Sequence, residues 1–162
     1  MIPIYQTFID GKRGNCMQAV MASLFELSLE KVPNFIELGD EWHNSMCSFI
    51  YDQGYELLGT LYNPNDFYAE VVSPKDIIPE CRFEEMKTKY KGINGYYYAA
   101  VFSQKFYDPS KSWINQITHA VVVDSNLNIV HDPNRENKSN GYLRSNEIGY
   151  NGVLYTYIIE KR

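Results

Sequence analysis

The apolar residues near the start of this chain recur with a helical period, and this pattern constrains the fold more than any other feature of the sequence. After Gly14, apolar side chains return every three or four residues, as on one buried helix face: Met17, Val20, Met21, Leu24 and Phe25. Asn15 can cap this helix, and Gln18 can reach back to the cap as in a capping box. The pattern predicts a helix whose first residue is Cys16.

The rest of the chain predicts two more helical segments followed by strands. A short turn at Ser28 to Val32 and a helix at Glu41 to Tyr51 come first, whereas residues 63–91 fit no single pattern. The later apolar and aromatic runs favour strands: Tyr55 to Leu61, Gly95 to Phe102, Thr118 to Asp124, Leu127 to His131 and Gly152 to Ile159. This order favours an α+β fold in which the N-terminal helix packs on a mostly antiparallel sheet.

Length and charge exclude several classes of protein. The 162 residues contain neither a repeat nor a Gly/Ser linker, so we expect one domain spanning residues 1–162. A net charge of −5 gives no positive field for nucleic acid. The apolar runs are far shorter than the about 18 residues of a membrane helix, and the N-terminus lacks a signal-peptide run. We expect a cytoplasmic protein with no membrane partner; the oligomeric state stays open.

Cysteine usage directs attention to one thiol. The three cysteines are Cys16, Cys47 and Cys81, an odd number without a C-x-x-C pair, which indicates neither a disulfide framework nor a zinc knuckle. At a helix N-terminus, unpaired N–H groups and partial positive charge favour the thiolate of Cys16 and can support a developing oxyanion. An inert, buried cysteine is the alternative, and position alone does not decide between the two.

A predicted hairpin supplies a histidine and a carboxylate. If Ser125 and Asn126 form a two-residue loop, His119 lies directly opposite Asp132, with Cβ atoms about 4.5–5.5 Å apart. The carboxylate could then orient the imidazole as a general base. A three-residue loop would shift the register and turn Asp132 to the other face. His131, which alternates with Asp132, is expected to be structural.

Four segments carry a resemblance to a known family. Residues 14–24 (GNCMQAVMASL) and 29–35 (LEKVPNF) resemble the nucleophile helix of papain-like cysteine hydrolases. Residues 119–122 (HAVV) and 131–134 (HDPN) resemble the His and Asp strands of the same group. The similarity is closest to bacteriocin-processing cysteine peptidases and to related uncharacterised bacterial and phage proteins. The matching segments cover about a sixth of the chain, 26 of 162 residues, and their order agrees with the family.

The resemblance implies a papain-like fold and a catalytic set. Cys16 would be the nucleophile, His119 the general base and then acid, and Asp132 the residue that orients it. Such enzymes also place a Gln before the Cys as an oxyanion donor, and the best match is Gln6, although its interval to Cys16 is longer than usual. Gln18 is a weaker match. The implied activity is cleavage of a peptide or isopeptide bond in a protein or peptide substrate, without a metal or other cofactor.

Other functions remain open at this level. The same triad supports deamidation or acyl transfer, because these reactions differ only in the entering and leaving groups. A papain-like protein that binds a partner without turnover is a second class, and abundant tyrosine suits such a surface. A thiol–disulfide redox role is poorly supported, because no resolving cysteine lies near Cys16. A zinc site from Cys16, His119 and His131 is weaker than the triad.

Overall fold

In the part of the chain that the structure describes, two helices lie in the first third and all of the strands follow them. The structure, a computed structural model, describes residues 1–10, 13–62, 83–102, 106, 108, 110, 111, 117–136 and 152–162. The helices are α1 (Cys16–Leu24), α2 (Trp42–Asp52) and α3 (Phe83–Lys89), with 3₁₀ turns at Leu29–Lys31 and Phe35–Glu41. The strands are β1 (Tyr55–Tyr62), β2 (Tyr96–Phe102), β3 (Thr118–Asp124), β4 (Ile129–His131) and β5 (Val153–Lys161).

The predicted elements are present, with small shifts at their ends. α1 begins at Cys16 as predicted, and its apolar stripe is buried, with Val20 and Met21 fully inaccessible. The turn expected at residues 28–32 is the 3₁₀ turn Leu29–Lys31, and α2 stops just before Gly54, whose φ of 82° suits glycine. β3 has the bounds that the sequence predicts.

The five strands form one antiparallel sheet in the order β1-β5-β2-β3-β4. Helices α1 and α2 cover one face, where Met21, Ile50 and Val122 share a core. Residues of the other face, Val121 and Ile158 among them, pack with Met86 of α3. The α+β arrangement with an N-terminal helix on an antiparallel sheet is therefore confirmed.

The predicted capping box is wrong. Asn15 is the N-cap residue of α1, but its side chain makes no hydrogen bond to the helix backbone. Its amide is turned instead towards residues 7 and 8, and the Gln18 amide donates to the carbonyls of Leu29 and Val32. The two side chains still bond each other, from Asn15 Nδ2 to Gln18 Oε1 at 3.0 Å, but partners from other segments replace the backbone of the helix end, because both side chains reach them.

The predicted hairpin register is also wrong, and two irregularities change it. Leu127 has a φ of 61°, and its N–H bonds the Asp124 carbonyl, which lengthens the loop to three residues. The pairing then shifts again, from Val123 with Ile129 to Val122 with His131. Val130 is the extra residue of this bulge and is 41% exposed. Together the two one-residue shifts return the residues beyond the bulge to the face of the sheet on which the predicted register placed them, because side chains alternate between faces with a period of two.

Some predicted segments fall on residues that the structure does not describe. Cys81 and residues 63–82 lie outside the described ranges, and so do residues 137–151 and most of residues 103–117. Within the described ranges, no helix has both the length and the apolar character that a bilayer crossing requires.

Candidate functional site

Helix α1 presents Cys16 at its first turn, above two small residues of the sheet. Ala100 of β2 and Ala120 of β3 are paired, and both belong to the core that α1 covers. Their short side chains allow the helix to approach the sheet closely. As the first helical residue, Cys16 has an N–H without an intrahelical acceptor, and the residue as a whole is partly exposed.

Because β4 ends at His131, the edge of β3 beyond it is open to the Cys16 sulfur. Val122 pairs with His131, the last residue of β4, and the N–H of Asp124 bonds the Asn128 carbonyl on the same side. By alternation the N–H of Ala120 points to this side too, beyond the end of β4. It donates to the Cys16 sulfur instead of to a neighbouring strand. A longer β4 would occupy the position that the thiol takes.

His119 and Asp132 are joined directly. The Nε2 of His119 lies 2.7 Å from Oδ1 of Asp132, the first residue after β4, and the two side chains are 11% and 18% exposed. The same carboxylate oxygen accepts the N–H of Asn134 at 2.8 Å, which fixes its orientation. The predicted contact is therefore present, although the register from which it was predicted is not. The bond to Nε2 leaves Nδ1 of His119 for the hydrogen bond with Cys16.

The electrostatics of the pair favour a thiolate and an imidazolium. Burial raises the pKa of the Cys16 thiol, but the hydrogen bond and charge of His119, with the N–H groups of Ala120 and Met17, outweigh it and leave the pKa below its usual 9.0. Burial lowers the pKa of His119, while Asp132 and Cys16 together raise it to about 9. Because the thiol pKa is lowered and the imidazole pKa is raised, the Cys16 thiolate and the His119 imidazolium form the favoured pair of charge states at neutral pH.

Gln6 lies beside the orienting carboxylate. Its backbone N–H donates to the Pro133 carbonyl at 3.0 Å, next to Asp132 in the chain. Its side-chain amide donates to the Phe8 carbonyl at 2.9 Å, and its buried Oε1 has no hydrogen-bond partner among the residues that the structure describes. Between Gln6 and Cys16, the Gly14 N–H bonds the Asp10 carbonyl at 2.7 Å and the Asn15 N–H bonds the Phe8 carbonyl at 3.4 Å. The bond to the Pro133 carbonyl holds Gln6 on the side of the site where Asp132 lies.

The sequence did not predict the contacts that two groups of residues make near the site. Asn15 is 1% exposed and ties the segment before Cys16 to α1. A stack of three tyrosines lies on the same face of the sheet as Cys16, with Tyr98 and Tyr157 ring centroids 4.6 Å apart. Burial, and then the charges of Tyr155, Tyr157 and Cys16, raise the pKa of Tyr98 well above its usual 10.0, so this phenol stays neutral. The period-two pattern of Tyr155 and Tyr157 was the available signal.

The alternative site residues have other partners. The Nε2 of His131 donates to the Ile4 carbonyl at 2.8 Å, in agreement with its predicted structural role. Cys47 lies on α2 at 3.9 Å from Nδ1 of His43, and burial raises the pKa of its thiol. Among the residues that the structure describes, no three His, Cys, Asp or Glu side chains are grouped as a metal ion would require.

Comparison with models of known protein families, with curated proteins and with solved structures finds no match to this chain. What points to a function is therefore the α+β fold and the arrangement of Cys16, His119 and Asp132.

Proposed function

We propose that this protein is a papain-like cysteine hydrolase that cleaves an amide bond through a thioester. The observation that carries the proposal is the chain of contacts from the Cys16 sulfur through His119 to Asp132, across three separate elements. A cysteine buried only for packing has a raised pKa, as Cys47 does, whereas that of Cys16 is lowered. A depressed thiol pKa beside an oriented imidazole is the arrangement that nucleophilic catalysis requires.

The first half of the reaction forms the acyl-enzyme. The Cys16 thiolate attacks the carbonyl carbon, a C–S bond forms, and the carbonyl π electrons move to the oxygen. The imidazolium of His119 then gives its proton to the leaving nitrogen as the C–N bond breaks. Asp132 keeps the ring oriented through its bond to Nε2. The products of this half are a thioester and a free amine.

The second half returns the enzyme to its starting state. Neutral His119 takes a proton from water as the water oxygen attacks the thioester carbon. The tetrahedral intermediate collapses, the C–S bond breaks, and the carboxylic acid leaves behind the thiolate–imidazolium pair. In both halves the Cys16 N–H is one donor to the oxyanion, because it is free of an intrahelical acceptor.

Gln6 is the proposed second oxyanion donor. An amide nitrogen carries two hydrogens, so its bond to the Phe8 carbonyl leaves one for the oxyanion. Loss of a comparable donor costs about 10²–10³ in turnover in enzymes where it has been tested. We expect Gln6→Ala to lower turnover of a cleaved substrate while the alkylation rate of Cys16 stays unchanged.

Incubation with peptide and protein mixtures, followed by mass spectrometry, tests the reaction class. Hydrolysis cuts a chain, deamidation adds about one dalton, and acyl transfer joins two components. We expect cleavage by the wild type and none by Cys16→Ala, with Cys47→Ala as the matched control that retains it. A Cys16→Ala protein with undiminished activity, or an enzyme that never forms a Cys16 thioester with a cleaved substrate, would contradict the proposal.

A further inference from the structure

The N-terminal segment, residues 4–8, holds the chain on both sides of Asp132. His131 donates from Nε2 to the Ile4 carbonyl at 2.8 Å, and because a carbonyl only accepts, this bond fixes the proton on Nε2. On the other side, Gln6 N–H donates to the Pro133 carbonyl at 3.0 Å. The two residues that flank the orienting carboxylate are thus bonded to alternate residues of one segment.

The other end of the same segment is bound to the residue before the nucleophile. The Oδ1 of Asn15 accepts the N–H groups of Thr7 and Phe8, both at 3.0 Å. Its Nδ2 donates to the Thr7 hydroxyl and to Gln18 Oε1, again at 3.0 Å. Asn15 is 1% exposed, so these bonds form away from competing water. The side chain has no remaining hydrogen-bonding capacity for an ordinary cap.

We propose that Asn15 and His131 are positioning residues, which set the distance between Cys16 and the His119–Asp132 pair through residues 4–8. This inference rests on the proposed function and deepens it. Cys16 is carried by α1 and Asp132 by the end of β4, and segment 4–8 is bonded to the neighbours of both. A displacement of about 1 Å at a reacting group can cost about 100-fold in rate, so such a bridge affects the chemistry.

A matched pair of substitutions at His131 tests the bridge that residues 4–8 form between Cys16 and Asp132. In His131→Gln the amide nitrogen reaches about as far as Nε2 and keeps a donor for the Ile4 carbonyl, whereas the shorter His131→Asn does not. Thr7→Val removes the hydroxyl that Asn15 binds, at an exposed position where the fold tolerates the change. Tyr97→Phe is the control, because it removes the hydrogen bond from the Tyr97 hydroxyl to the Tyr90 carbonyl at 2.8 Å, in the core on the other face of the sheet and with no contact to residues 4–8.

The measured quantity is the pH profile of Cys16 alkylation by iodoacetamide, resolved by peptide mass spectrometry, together with the Tm. We expect His131→Asn to slow alkylation at pH 7 by about tenfold and to move the acid limb of the profile upward, while His131→Gln restores both. Thr7→Val is expected to slow the alkylation of Cys16 a few-fold. If His131→Asn does not fold, this variant tests whether residues 4–8 position the site. Tyr97→Phe should lower Tm and leave the profile unchanged.

Two outcomes would overturn the inference, and a third would overturn the proposed function on which it rests. Equal profiles for His131→Asn and His131→Gln, or an unchanged profile for Thr7→Val where His131→Asn does not fold, would show that the bridge is only structural. If wild-type Cys16 reacts no faster than Cys47, the proposed hydrolase itself fails, and this is visible before any variant is made.

Discussion

Replacement of Asp132 by Asn tests the electrostatic basis of the site. Asp132 contacts His119 Nε2 at 2.7 Å, and its hydrogen bond is the largest of the effects that raise the pKa of His119 from 6.5 to about 9. That shift corresponds to about 3 kcal/mol in favour of the imidazolium, supplied jointly by Asp132 and Cys16 against burial. Asp132→Asn removes the carboxylate's share, so that only Cys16 opposes the effect of burial, which lowers the pKa of His119.

The change in pKa converts into a change in thiolate population. At pH 7.5 a pKa of about 9 keeps about 97% of His119 protonated, whereas the ordinary value of 6.5 keeps only about 9%. Because the thiolate of Cys16 is stabilised by the imidazolium, its population falls as the imidazolium is lost. We therefore expect Asp132→Asn to slow alkylation of Cys16 at pH 7.5 by about tenfold.

Iodoacetamide alkylation measured from pH 5 to 10, in a background with Cys47→Ala and Cys81→Ala, follows Cys16 alone. NMR titration of His119 in the same proteins gives its pKa directly. Asp40→Asn is the matched control, since it makes the same chemical change at an exposed carboxyl. A wild-type and an Asp132→Asn protein with the same rates and the same His119 pKa would refute the reasoning.

Three further measurements bear on the same site. At pH 7 we expect Cys16 to react about tenfold to 100-fold faster than Cys47, whose pKa burial raises; equal labelling would contradict the lowered pKa of Cys16. Amide cleavage should fall as pH rises through about 9, where His119 loses its proton, while alkylation persists there because the thiolate remains. Gly14→Ala should lower stability by about 1–3 kcal/mol in denaturant unfolding, since a Cβ would meet the Asp10 carbonyl oxygen at 2.7 Å; an unchanged midpoint would oppose this.

The local elements could be predicted from the sequence because each has its own short-range signal. The three- and four-residue period of Met17, Val20, Met21 and Leu24 defines α1, and the run of β-branched residues defines β3. The hairpin loop was harder to predict, because the residue with a positive φ is Leu127, and the sequence has no glycine there to indicate that conformation. The contact between His119 and Asp132 was predicted from a register that the protein does not use.

The sequence by itself determined which residues carry helical or strand periods, and hence the α+β class and the position of Cys16 at a helix start. Only the tertiary structure decided that β4 ends early enough for the sulfur to meet the Ala120 N–H, and that a bulge at Val130 returns Asp132 to His119. Periodicity reports which side of an element is buried, whereas bulges, strand ends and the partners of a side chain such as Asn15 depend on segments distant in the chain.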